Sequence, residues 1–203
     1  MNRIGSVLHH DSLMVSSIQG IQDRTIPYVL DASFLYENEK IIIHNLVVNH
    51  HLSLFLRCSD QHNMARGDNV PGDILLGQLM DAQAMGFKGM IVSTGRSSIL
   101  NVSRALDYLR REIMRLLQET TPLCPLLLHT CEVKTTELLT CVEDLIDFVV
   151  SFGDTRLGIA LYSEHANRIP INIQVVRLIM AKDTDTEADL QCYLSYGIPI
   201  CIR

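Results

Sequence analysis

The sequence predicts an α/β fold: one domain over residues 1–203, a compact (β/α)8 barrel lacking the final helix. Three observations carry that reading. Short, continuous apolar runs recur along the chain, as in strands of a parallel sheet covered by helices. Stretches with helical apolar spacing separate them. There are eight such runs, the number that closes a parallel barrel. With 203 residues it is a small barrel, since such folds typically need about 250, and the chain ends on the eighth run.

Taken in order, 3–8 is a short apolar strand ended by His9, His10 and Asp11. Helical spacing covers 12–21, and 25–30 is strand-like with Asp31 at its end. The Ile and Val content of 40–48 favours a strand, but length and position favour a helix, which is the reading taken. Strand 52–56 runs into Arg57, Cys58, Ser59 and Asp60. After a loop with Gly67, Pro71 and Gly72, Asp73 caps a helix to Met85 that Gly86 stops. Strand 88–92 ends in Ser93, Thr94, Gly95, Arg96 and Ser97.

The clearest helix spans 98–118, with Ile99, Val102, Leu106, Leu109, Ile113 and Leu116 on one face. Strand 125–128 runs into His129. Thr136 caps a helix through Val150 with Leu138, Leu139, Val142, Leu145 and Val149 inward. The sixth strand, 157–161, stops in Tyr162, Ser163, Glu164 and His165. A seventh strand over 172–180, a helix over 184–194 and an eighth strand over 198–202 complete the pattern.

Composition narrows the function classes. Hydrophobic residues are 47% and charged residues 20% of the chain, which is globular rather than disordered. The formal net charge of −6 argues against a generally sticky nucleic-acid protein but leaves room for a local basic mouth. No apolar run reaches the roughly 18 residues of a membrane span, and residues 1–6 have no signal-peptide core. None of the six cysteines forms a CxxC pair, so a zinc knuckle is unsupported and free thiols in a reducing compartment are expected. That places the protein inside the cell, nucleus and cytoplasm not being distinguished. GxSxG, P-loop and GxGxxG motifs are absent, leaving serine hydrolase, nucleotidase and dinucleotide readings without support.

In such barrels, sites form at the C-terminal ends of the strands. The residues expected there are His9, His10, Arg57, Cys58, Ser59, Ser93, Arg96, His129, Tyr162, Glu164, His165, Arg177, Lys182 and Arg203. A metal site needs carboxylates and neutral imidazoles together; His129, Glu164 and His165 begin such a set, with Cys58, His129 and His165 as metal candidates. An anion site needs cations and backbone N–H groups; Arg57, Arg96, Arg177, Lys182 and Arg203 are its candidates, and 94–98, opening the long helix, suits it. Simpler roles compete: Gly95, Ser97 and Ser98 as turn and cap, His50 and His51 as a helix end, His9 and His10 as solvated loop, Glu143 and Asp144 as a solvated helix face, and Tyr162 as a packed ring.

The strand ends also carry a resemblance. The opening Ile4-Gly5-Ser6-Val7, the fourth strand's Ser93-Thr94-Gly95, the fifth's Leu128-His129-Thr130-Cys131, the sixth's 156–165 and the closing Gly197-Ile-Pro-Ile-Cys-Ile-Arg203 resemble, in order, the strand ends of the endonuclease IV family. That is a family of metal-dependent apurinic/apyrimidinic endonucleases with a (β/α)8 barrel and three zinc ions. The resemblance covers nearly the whole chain and is strongest in scaffold residues. It implies that the family's ligand positions fall on Cys58, Ser93, His129, Tyr162, His165, Arg177 and Arg203, of which only His165 is unchanged. Two guanidiniums in place of ligands would repel zinc.

The resemblance therefore implies a highly diverged, catalytically inactive relative without the zinc cofactors. It would be kept as a scaffold or interaction protein with a protein partner or self-association, as in a fast-evolving viral genome. The side left open by the missing helix is the expected interface. The alternatives are a nucleic-acid phosphate-binding module that does not cut, and an altered metal-dependent hydrolase acting on abasic DNA through His129, Glu164 and His165.

Overall fold

The computed structural model describes residues 4–9, 14–21, 26–97, 101–129, 136–168, 174–182, 184–195 and 197–202. Eight parallel strands close a barrel in chain order: β1 (Ile4–His9), β2 (Pro27–Asp31), β3 (Ser53–Arg57), β4 (Met90–Ser93), β5 (Leu126–His129), β6 (Leu157–Tyr162), β7 (Val176–Ala181) and β8 (Ile200–Ile202). β8 returns to β1, with Gly5 opposite Cys201. Six α-helices lie among the described residues: α1 (Met14–Gln19), α2 (Glu37–His50), α3 (Val70–Met85), α4 (Val102–Glu119), α5 (Val142–Val150) and α6 (Glu187–Ser195). Between β6 and β7 the described connection is a 3-10 segment, Ser163–Arg168.

The strands are apolar on both faces because each face meets a separate core. Val29, Phe55, Ile91, Leu127, Ala160, Leu178, Met180 and Cys201 fill the barrel. Leu30, Leu54, Leu56, Met90, Val92, Leu126, Leu128 and Ile179 pack outward against the helices. The β-branched run in α2 does not make it a strand, because Ile43 and Val47, one turn apart, are both buried; tertiary burial outweighs local propensity. The C-terminus of α2 falls at His50, with His51 left-handed at φ 53°, and Glu143 and Asp144 lie exposed on α5.

The starts of α3, α4 and α5 differ from the sequence expectation in their capping as well as their position. α3 begins at Val70 after Asn69, with Pro71 in its first turn; Asp73 is no cap and instead takes Arg115 at 2.5 Å. α4 begins at Val102, capped by Asn101, whose Oδ1 accepts from Arg104 N at 2.8 Å. Val102 is exposed, and the buried face is Ala105, Leu109, Ile113, Leu116 and the carboxylate-bearing Glu112; Ser98 and Ile99 lie outside the described residues. α5 begins at Val142, not at Thr136. The backbone of 136–138 bonds across to the loop after β4: Ser97 N donates to Thr136 O at 2.8 Å and Leu138 N to Gly95 O at 3.0 Å. Those groups are satisfied between loops, so they do not start a helix.

The described cysteines 58, 124, 141, 192 and 201 are free thiols; Cys131 lies outside the described residues. No described helix is long and apolar enough to cross a membrane.

Candidate functional site

The C-terminal mouth of the barrel is organised by ion pairs. Asp31 and Arg57 end β2 and β3 and face each other in register. Arg57 Nη1 donates to Asp31 Oδ2 at 3.0 Å, and Nη2 to Asp60 Oδ2 at 3.1 Å, so one guanidinium bridges two carboxylates. The other oxygen of Asp60 lies 3.2 Å from Nε2 of His129, whose side chain is fully buried. The His129 ring stands edge-on to Tyr162 with centroids 5.7 Å apart. Burial pushes the Asp60 carboxyl up, but the adjacent His129 ring and the guanidiniums of Arg57 and Arg96 together hold it below the usual carboxylate value.

Loop-to-loop bonds hold this network in place. The Asn63 side chain donates to Arg96 O at 3.0 Å and accepts from Arg96 N at 2.9 Å and Ala65 N at 3.2 Å. Gly95 allows that approach, since at φ 80° an added Cβ would sit 2.3 Å from Asn63 Oδ1. Thr94 Oγ1 donates to Leu138 O at 2.8 Å. Segment 94–97 is therefore a clamp between loops. It does not open a helix, so the anion site expected at a helix N-terminus is not formed there.

A cavity of about 1170 Å3 opens above β2–β4, lined among others by Asp31, Arg57, Asp60, Arg66, Asp68 and Arg96. Each cation has an acid: Arg66 sits 2.9 Å from Asp68, and Arg96 3.7 Å from Glu137, whose side chain is buried. On the far side Lys182 pairs with Glu164. The mouth is charge-balanced rather than a basic cradle.

The structure thus brings Arg57, Cys58, Ser59 and Arg96 to one cavity and sets His129 beside it through Asp60. Ser93 is buried at the end of β4, its hydroxyl accepting from Gly95 N at 3.1 Å. His9 is exposed at the end of β1, and His165 is half-buried on the 3-10 segment after β6. Arg177 does not join the mouth: it is the second residue of β7, exposed at the barrel's N-terminal end. His10 and Arg203 lie outside the described residues. Asp31, Asp60, Asn63 and Glu137 were not among the expected site residues, although Asp31 ends a strand and Asp60 follows Arg57 by three.

These side chains do not fit a three-zinc centre. Among the described residues no group of three or more His, Cys, Asp or Glu is placed to hold an ion. Asp31 and Asp60 are engaged by Arg57, and Glu164 by Lys182. Burial, with the nearby Asp31, pushes the Cys58 thiol well up, so it stays protonated.

No family model matches the sequence, and no curated protein matches it. Solved structures match its shape. Endonuclease IV from Thermus thermophilus aligns at 13% identity and a TM-score of 0.71, covering 98% of this chain and 91% of that one. An AP endonuclease, family 2, from Brucella melitensis aligns at 10% and 0.77, covering 100% and 92%. D-psicose 3-epimerase from Clostridium cellulolyticum aligns at 9% and 0.76, covering 98% and 84%. The likeness is one of fold. Endonucleases and sugar epimerases share it equally, so the resemblance read from the strand ends holds at the level of the common barrel.

Proposed function

We propose that this barrel is a non-catalytic relative of the endonuclease IV and epimerase barrels, serving as a scaffold or interaction protein. The observation that carries the reading is Arg57 seated between Asp31 and Asp60. At that mouth a metal-dependent enzyme needs free carboxylates converging on an ion. Here the carboxylates are neutralised by the protein itself. The hydrolase alternative finds its three residues divided, with His129 on Asp60 and Glu164 on Lys182. The phosphate-binding alternative needs surplus positive charge, and the cavity walls carry Arg57, Arg66 and Arg96 against Asp31, Asp60 and Asp68. Support for an interaction role comes from the loop after β2, beside the cavity, where Phe34 and Tyr36 stack edge-on and are 54% and 58% exposed. Aromatic residues of this kind anchor protein contacts.

The test is an abasic-site duplex incubated with the protein and added zinc or manganese. No strand cleavage above a metal-only control is expected. Metal-dependent cleavage that Asp60→Asn abolishes would overturn the reading.

A further inference from the structure

The N-terminal end of the barrel holds a feature that the mouth does not explain. Ile159 pairs with Val176, but the next residue, Ala160, pairs with Leu178. Arg177 is therefore the extra residue of a β-bulge, exposed between two buried neighbours. Bulges at barrel rims re-aim side chains. Here the aim is across the strand beside it: a Cβ added to Gly158 would fall 2.8 Å from Arg177 Cγ. The glycine leaves room for the arginine stem to lie over the start of β6. That path brings Arg177 into one pocket of about 360 Å3 with Lys88, Thr155, Pro122, Pro125 and Phe55.

No carboxylate lines this pocket. Asp154, next in the chain to Thr155, is held by Arg156 at 2.7 Å and 3.0 Å. Among the described residues neither Arg177 nor Lys88 forms an ion pair, although the chain as a whole carries a net charge of −6. Two exposed cations on the wall of one pocket, with no acid among its lining residues, leave it a local surplus of positive charge that an anion would neutralise. A guanidinium offers paired donors to phosphate oxygens, an ammonium a point charge, and Thr155 a hydroxyl.

We propose that Arg177, Lys88 and Thr155 form an anion site at the N-terminal end of the barrel for a compact phosphate-bearing ligand. This site is independent of the reading of the mouth. The test is calorimetric titration of the full chain with inorganic phosphate at low salt. Saturable binding is expected, weakened about tenfold in Arg177→Gln and by less in Lys88→Gln. Gly158→Ala should weaken it too, although both cations remain, because the methyl displaces the arginine stem. Arg66→Gln, at the opposite end, should bind as the wild type does. Melting temperatures check that each variant folds; Arg177 and Lys88 are exposed, so their variants keep the test decisive if Gly158→Ala does not. Absence of saturation at tens of millimolar phosphate, or wild-type affinity in Arg177→Gln or in folded Gly158→Ala, overturns the proposal.

Discussion

The two ends of the barrel differ in how much positive charge they leave over, although the floor too has an ion pair, Arg156 on Asp154. At the mouth, Arg57, Arg66, Arg96 and Lys182 each sit against a carboxylate. At the floor, Arg177 and Lys88 share a pocket that no acid lines. A network that neutralises itself offers a ligand little, because binding must first break the pairs. A surplus of one sign leaves something for a ligand to neutralise. The ends differ in backbone as well. The floor is closed by glycines: Gly5 lies against Pro27, Gly89 against Phe55 and Gly158 against Arg177. The mouth has one such close approach, Gly95 against Asn63, and is otherwise an open cavity lined by polar side chains.

The largest effect should therefore come from the floor. A Cβ on Gly5 would lie 1.4 Å from the carbonyl oxygen of Pro27, a backbone atom that no rotamer change can move. Gly5→Ala must push β1 and β2 apart at their N-terminal ends, just ahead of the Val7–Val29 pair. The expected loss is more than about 4 kcal/mol, or failure to fold, read from urea denaturation. A wild-type midpoint would mean that the floor is not close-packed.

The barrel was legible because its signal is repeated: eight apolar runs and the helices between them gave strand order and count, even where individual ends slipped. The start of α5 after Cys141 was not legible, because it depends on bonds between loops distant in sequence, such as Leu138 to Gly95, whereas the starts after Asn69 and Asn101 are local and compete with equally good cap residues nearby. The site was read in part. Arg57, Cys58, Arg96 and His129 stand at strand ends and could be found by position alone. Arg177 was expected at the mouth and lies at the floor instead, since a bulge is invisible in the apolar pattern and β7 starts at Val176, four residues after the expected position 172. Asp60 carries no motif: its role arises only from its contacts with Arg57 and His129, which no local pattern encodes.

Asp60 gives the next effect. Its carboxyl titrates lower in the folded protein than in the unfolded chain. Its stabilisation is therefore present above the unfolded value of about 4 and is lost as pH falls through the lower folded value. Asp60→Asn should cost about 1 kcal/mol at neutral pH, discounted for its partial exposure. The variant should lose less stability than the wild type between neutral pH and pH 3. Urea midpoints at both pH values measure the difference. Equal losses in the two proteins would detach Asp60 from the Arg57–His129 network.

The smallest effect belongs to Arg66, and it sharpens the contrast most. Its side chain is 70% exposed and its partner Asp68 42%, so water screens the pair and the long side chain gives up entropy to hold it. Arg66→Gln should change stability by less than about 0.5 kcal/mol, measured by urea midpoint. It should also leave phosphate affinity untouched. Removing a positive charge from an arginine in the larger cavity would then do nothing, while removing one from Arg177 in the smaller pocket would matter. A shift of several times that size in Arg66→Gln would mean that the rim pairs are coupled to Arg57 as one unit, and that the mouth is stiffer than its exposure implies.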